Sequence, residues 1–136
     1  QRHPTLTLVE LRSPGGYVLE GLRMARVVID RGLDTAALES CASACTLVLA
    51  AGRERYLGPQ AEVGFHRSGS RYQPVSLGWP RPDHQTADFY APRGATPAFI
   101  DQALALPITE IWWAPHDEMY TQGFATRPWA ERRAGY

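Results

Sequence analysis

Apolar runs that alternate between strand-like and helix-like spacing occupy the first half of this chain, and this alternation restricts the fold more than any other feature. Short strand-like runs lie at residues 5–11, 34–39 and 61–66. Between them, residues 17–31 carry apolar side chains at helical spacing, and residues 42–51 are apolar on all sides, which is typical of a buried helix. Strand, helix, strand, helix, strand in short succession predicts an α/β fold with a mostly parallel sheet and covering helices.

The second half predicts a long loop followed by short helices. Residues 67–83 are rich in Ser, Gly, Pro and Arg, which is typical of a surface loop or lid. Helical patterns follow at residues 85–91, 97–105 and 115–122. Because a chain of 136 residues has the length for one hydrophobic core, we expect a single domain over residues 1–136.

Composition excludes several classes of function. The 14 basic residues balance the 14 acidic ones, so the basic footprint of a nucleic-acid-binding protein is absent. All the basic residues are arginine, and a chain without lysine cannot build a Walker phosphate loop, a Schiff base or a serine–lysine dyad. No apolar run approaches the roughly 20 residues of a membrane span, and no signal peptide is recognisable in this chain.

Three features coincide at the carboxyl ends of predicted strands, which is where sites form in parallel sheets. Ser43 lies where a strand is followed by a helix. It is therefore next to the free backbone N–H groups and the positive dipole end of that helix N-terminus. The N–H of the following Ala44 can point at a developing oxyanion. Gly15 and Gly16, after the first strand, let the backbone present N–H groups to a ligand. His66, after the third strand, is placed to act as a general base.

Each of these features also has an ordinary structural explanation. Ser43 suits the N-cap of a core helix, Gly15 and Gly16 suit a tight turn, and His66 suits a half-buried position at a strand end. Their order along the chain is what favours a catalytic site.

The ordered motifs resemble those of a known family. Ser-Pro-Gly-Gly at residues 13–16, Cys-Ala-Ser-Ala-Cys at 41–45 and Val-Gly-Phe-His at 63–66 resemble the Clp-type serine peptidases, which have the ClpP/crotonase-like fold. The sequence is more similar still to secreted or periplasmic Clp-like bacterial proteins with a Cys-x-Ser-Ala-Cys turn. The resemblance covers residues 6–66 and, more loosely, 84–126. It implies that the first strand and helix of the family would precede residue 1, so that they are either missing here or rebuilt differently.

This resemblance implies a role for each motif residue. Ser43 is expected to be the nucleophile and His66 the base, while Gly15 or Gly16 forms an oxyanion hole with Ala44. The expected reaction is the ATP-independent hydrolysis of a peptide or protein substrate through an acyl-enzyme, with no cofactor and no metal. We also expect a homo-oligomer, because this fold commonly assembles.

The third residue of the expected catalytic triad matches the pattern of the family least well. The family places an acid in the stretch that this chain spells at residues 107–112, where Glu110 is the only acidic residue. Asp117 is the reserve candidate. A backbone carbonyl or Thr109 is a further way to orient the histidine ring. An acid in this place would hold the ring tautomer and stabilise the imidazolium.

Cys41 and Cys45 flank the serine turn and are the only cysteines. Their even number and the resemblance to exported proteins imply a disulfide, and with it a periplasmic or secreted protein. Reduced core cysteines are one alternative. Metal ligation is another, although no histidine shows zinc-ligand spacing with them.

Two other functions remain open at this stage. The first is a catalytically inactive binding module on the same fold, which a Ser43–His66 distance beyond hydrogen-bond reach would favour. The second is a crotonase-type acyl-CoA enzyme, which binding of a CoA thioester would identify.

Overall fold

The computed structural model describes residues 6–67 and 84–134, so all but the first residue of the predicted loop or lid at 67–83 lies outside the described residues. The strands are β1 (Leu8–Ser13), β2 (Asp34–Ala42), β3 (Arg55–Leu57), β4 (Glu62–Phe65), β5 (Trp112–Trp113) and β6 (Arg127–Pro128). The helices are α1 (Val18–Asp30), α2 (Cys45–Ala50), α3 (His84–Tyr90), α4 (Pro97–Ala103), α5 (His116–Thr121) and α6 (Trp129–Ala134). No helix in these two ranges has both the length and the apolar content of a membrane span.

Strand β2 is the centre of the sheet, because it pairs in parallel with β1, β3 and β4. Its first part, around Ala36, pairs with β3, and its last part, around Cys41, pairs with β4. Beyond these neighbours, β6 pairs in parallel with β3, and β5 is antiparallel to β4. The predicted α/β class with a mostly parallel sheet is therefore confirmed.

Helices α1 and α2 pack together directly behind the turn that ends β2. Every residue of α2 is buried, which explains why its sequence is apolar on all sides. Helix α1 approaches closely at Gly21, where an added Cβ would lie 2.9 Å from the backbone oxygen of Ala44. Larger side chains at Gly21 would push α1 away from Ala44, so the close approach of the two helices depends on this glycine.

Several element boundaries differ from the predictions, for physical reasons. Strand β2 continues to Ala42 instead of ending at residue 39, because Cys41 and Ala42 pair with β4. Small apolar residues suit a buried strand as well as a buried helix, and the parallel pairing decides between them. Strands β3, β5 and β6 were not predicted, since two or three residues are too few to show a periodicity.

Arg55 is a buried cation that connects β3 to the chain after α5. Its guanidinium donates to the backbone carbonyls of Phe124 at 2.7 Å, Gly52 at 3.0 Å and Gly123 at 3.1 Å. Burial lowers the pKa of the Arg55 guanidinium, and the nearby cation of Arg93 lowers it further. The hydrogen bonds compensate for the loss of water, so the arginine stabilises three carbonyls that would otherwise lack a donor.

Replacing this arginine tests that conclusion. We expect Arg55→Met to lower the free energy of unfolding by about 3 kcal/mol, because the carbonyls lose their donors. The control is Arg53→Met, since the Arg53 side chain is 72% exposed and pairs with Asp34 at 3.4 Å; it should cost no more than about 1 kcal/mol. Chemical denaturation of both variants measures the difference, and equal losses would contradict the assignment.

Candidate active site

Ser43 occupies a sharp turn between β2 and α2. Its φ angle is 57°, in the left-handed region, and among residues 6–67 and 84–134 it is the only non-glycine residue with a positive φ. Its N–H donates to the backbone oxygen of Gly64 at 2.9 Å, which fixes the turn to β4. A strained backbone of this kind costs about 1–3 kcal/mol and is concentrated at functional sites. The sequence indicated a serine at a strand-to-helix junction but not this conformation.

The hydroxyl of Ser43 contacts the ring of His66, whose other nitrogen contacts the main chain. Ser43 Oγ lies 2.8 Å from His66 Nε2, and His66 Nδ1 lies 3.0 Å from the carbonyl oxygen of Glu110. A carbonyl only accepts, so Nδ1 carries the proton of the neutral ring and donates it to Glu110. Nε2 then has a free lone pair, and the Ser43 hydroxyl donates to it. This tautomer is the one in which a histidine can remove a proton from a serine.

Glu110 therefore meets His66 through its backbone and not through its carboxylate. The Glu110 side chain is exposed. Thr109 is also exposed, and Asp117 lies exposed in the first turn of α5. The role of an acidic side chain in this site stays a prediction, and the contact at His66 Nδ1 corresponds to the backbone alternative.

Gly15 brings the turn after β1 against the serine. Its φ is +119°, and an added Cβ would lie 2.7 Å from Ser43 Cβ and 3.2 Å from Ser43 Oγ. The N–H of Gly15 donates to Ser13 Oγ at 3.1 Å. Gly16 follows at a position where an added Cβ would meet no atom within 4 Å. Of the two glycines expected to supply an oxyanion donor, Gly15 has an internal acceptor for its N–H.

Two residues that sequence reasoning missed stabilise the serine turn from behind. Thr46 Oγ1 donates to the backbone oxygen of Ser43 at 2.6 Å. Its hydroxyl also lies 2.6 Å from Tyr90 Oη, and because the Thr46 proton is already used, Tyr90 donates in this second bond. A buried threonine in an otherwise apolar helix was the available signal for Thr46, whereas nothing in the sequence pointed to Tyr90.

A disulfide closes the same turn. Cys41, in β2, and Cys45, the first residue of α2, are bonded, with their Cα atoms 5.4 Å apart. The predicted disulfide is thus confirmed, and its two cysteines flank Ser43 in the sequence. Within the described residues, no group of three or more His, Cys, Asp or Glu side chains is arranged to hold a metal ion.

The close approach of Gly15 to Ser43 gives a testable prediction. Gly15→Ala should lower the free energy of unfolding by about 1–3 kcal/mol, because alanine disfavours a positive φ and its Cβ overlaps Ser43. The overlap should also separate Ser43 from His66, which imidazole ¹⁵N NMR of His66 would detect. Gly16→Ala is the matched control and should change neither quantity. Normal stability and unchanged His66 resonances in Gly15→Ala would refute the contact.

The disulfide gives a second prediction. Replacing Cys41 and Cys45 together by alanine should lower the free energy of unfolding by about 2 kcal/mol, since a short loop is no longer closed in the unfolded chain. Denaturation of the wild type with and without a reductant should show the same loss. The double variant should not respond to the reductant, and stability equal to that of the oxidised wild type would contradict the prediction.

Comparison with solved structures finds the same fold in Clp proteases. A ClpP1 mutant from Listeria monocytogenes is 15% identical, with a TM-score of 0.71, and the match covers 89% of this chain and 71% of that one. The ClpP protease catalytic domain from Plasmodium falciparum is 16% identical, with a TM-score of 0.67, and the match covers 89% of this chain and 66% of that one. No family model matches the chain, and no curated protein matches it. The expected ClpP-like fold is confirmed.

Proposed function

We propose that this protein is a serine hydrolase that cleaves peptide bonds without an ATPase partner. The observation that carries the proposal is the 2.8 Å contact between Ser43 Oγ and His66 Nε2, in a ring whose Nδ1 donates to a main-chain carbonyl. A pair at this distance and in this tautomer supports a nucleophile and its base. It favours the hydrolase over an inactive binding module, which has no need of such a pair.

The proposed reaction has two halves. In the first, Ser43 Oγ forms a bond to the substrate carbonyl carbon while His66 Nε2 takes the hydroxyl proton. The carbon–nitrogen bond then breaks, and the amine leaves with the proton from His66. In the second half, water attacks the acyl ester, gives one proton to His66, and releases the acid as Ser43 Oγ recovers that proton. Serine and histidine both return to their starting states.

Backbone N–H groups are proposed to hold the oxyanion that develops in both halves. Ala44 directly follows Ser43 at the start of α2, and its N–H is the first candidate. Gly16 is the second, because the N–H of Gly15 already donates to Ser13. Donors fixed by the backbone need no rearrangement when the charge appears, which is why they stabilise the transition state effectively.

The carbonyl of Glu110 is proposed to replace the acid of a full triad. It fixes the tautomer and orientation of His66 as a carboxylate would. A carbonyl dipole stabilises the imidazolium less than a full negative charge, so we expect slower turnover than a complete Ser-His-Asp triad would give.

The remaining parts of the proposal rest on different grounds. Peptides as substrates rest on the shared fold, since the two solved structures are described as ClpP proteins and one of them as a protease. A periplasmic or secreted location is supported by the disulfide of Cys41 and Cys45, because such bonds persist in oxidising compartments. Assembly into a homo-oligomer rests on the resemblance alone.

A fluorophosphonate probe tests the nucleophile. Ser43 Oγ should form a bond to phosphorus and release fluoride, with His66 taking the proton. Mass spectrometry should place the adduct on Ser43, and Ser43→Ala and His66→Ala should lose it. His116→Ala is the matched control. His116 Nε2 hydrogen-bonds with the backbone oxygen of Ala61, away from Ser43 and His66, so this variant should still be labelled. A folded, oxidised wild type that is not labelled would contradict the hydrolase and favour the binding module.

A second variant identifies the group that orients His66. Glu110→Gln keeps the backbone carbonyl, so its labelling rate should stay within about threefold of the wild type. If the carboxylate acted instead, loss of its charge would slow labelling by about 100-fold or more. Circular dichroism before labelling controls for folding, and a loss of that size in a folded variant would return the role to the side chain.

A further inference from the structure

Tyr90, the last residue of α3, contacts the serine turn through Thr46. Its hydroxyl lies 2.6 Å from Thr46 Oγ1, and the Thr46 hydroxyl donates to the backbone oxygen of Ser43 at 2.6 Å. Tyr90 is 2% exposed and Thr46 is 1% exposed, so these hydrogen bonds lie in a low dielectric, where they are stronger than in water. Together they form a buried chain of hydrogen bonds from α3 to the carbonyl of Ser43.

The carbonyl of Ser43 receives two hydrogen bonds from α2. Besides the Thr46 hydroxyl, the backbone N–H of Thr46 donates to it at 2.9 Å. A trans peptide group is planar, so its C=O and N–H bonds point in opposite directions. The peptide group that joins Ser43 to Ala44 is trans, and the N–H of Ala44 therefore points away from Thr46. Holding the carbonyl in place thus fixes the direction of this N–H.

The N–H of Ala44 is available to a ligand. Among residues 6–67 and 84–134 no group accepts it in a hydrogen bond, although Ala44 is only 7% exposed. It is also the first candidate donor for the oxyanion of the proposed reaction. A donor that already points at the developing charge stabilises it without any rearrangement. The orientation of this peptide group should therefore affect the rate.

We infer that Tyr90 is a positioning residue of the proposed hydrolase. Acting through Thr46, it holds the peptide group after Ser43 so that the N–H of Ala44 points at the developing oxyanion. The inference rests on the proposed function and adds to it a residue that is buried behind the turn. The Tyr90 ring also packs edge-on against Phe65, with the ring centroids 6.1 Å apart. Tyr90→Phe keeps this ring contact and removes only the hydroxyl.

The rate of fluorophosphonate labelling measures the effect. Ser43 Oγ bonds to phosphorus, fluoride leaves, His66 takes the proton, and negative charge develops on the phosphonyl oxygen. We expect Thr46→Val to lower the second-order rate constant about tenfold and Tyr90→Phe about fivefold. These losses are part of the roughly 100-fold or more that follows removal of an oxyanion donor. Mass spectrometry of the Ser43 adduct over time gives each rate constant.

Two further variants show whether these particular hydroxyls matter. Thr46→Ser keeps a hydroxyl and should recover most of the rate that Thr46→Val loses. Tyr120→Phe is the matched control for Tyr90→Phe, because it removes a phenol hydroxyl from α5, where Tyr120 packs against the core. Its rate constant should stay within about twofold of the wild type. Circular dichroism before labelling shows whether each variant is folded.

NMR separates an effect on the Ala44 N–H from a general loosening of the site. In the labelled wild type, the Ala44 amide proton should move downfield relative to the free protein, because a charge-assisted hydrogen bond to the phosphonyl oxygen deshields it. This change should be smaller in Tyr90→Phe and in Thr46→Val. The imidazole ¹⁵N resonances of His66 in the free variants should match those of the wild type.

The possible results separate the positioning role from the hydrolase itself. A folded, oxidised wild type that is not labelled would overturn both. A labelled wild type whose rate constant is unchanged by Tyr90→Phe would overturn the positioning role alone, and so would an equal loss of rate in Tyr120→Phe. Changed His66 resonances in Tyr90→Phe would overturn it as well, because the tyrosine would then act on the ring and not on the peptide group.

Discussion

The site depends on one constraint, the parallel hydrogen bonding of β2 to strands on both of its edges. β1 pairs with one edge, and β3 and β4 divide the other between them. Because parallel strands end at the same side of a sheet, the residues that follow β1, β2 and β4 come together there. Those residues include Gly15, Ser43 and His66. Their proximity is therefore a property of the sheet rather than of any one loop.

The left-handed turn at Ser43 is unfavourable alone, and several independent contacts offset it. The disulfide closes the turn covalently, Thr46 accepts a hydrogen bond from Tyr90 and donates to the Ser43 carbonyl, and Gly64 receives the Ser43 N–H. Cys45 and Thr46 belong to α2, Tyr90 to α3 and Gly64 to β4, so the turn is held from three elements. In the proposed hydrolase, a serine held in this way needs little further ordering when a substrate binds.

The sequence predicted well those structural features that depend on a pattern of side chains. The alternation of strands and helices predicted the α/β sheet, and the order of the glycine turn, Ser43 and His66 predicted which residues meet. Short strands such as β5 carry no periodicity, so its pairing with β4 could not be foreseen. The sequence could not identify the Glu110 carbonyl as the hydrogen-bond partner of His66. Every residue has a backbone carbonyl, and only the fold determines which one lies next to the ring.

That main-chain contact has a genetic consequence. Every amino acid has a backbone carbonyl. A replacement at position 110 therefore removes the hydrogen-bond acceptor of His66 only if it displaces the backbone. Under the proposed role of this carbonyl, position 110 can vary in descendants of this gene while the ring keeps its partner. Searches that require an acidic side chain in a third motif would pass over such chains, although the serine and histidine retain the same geometry.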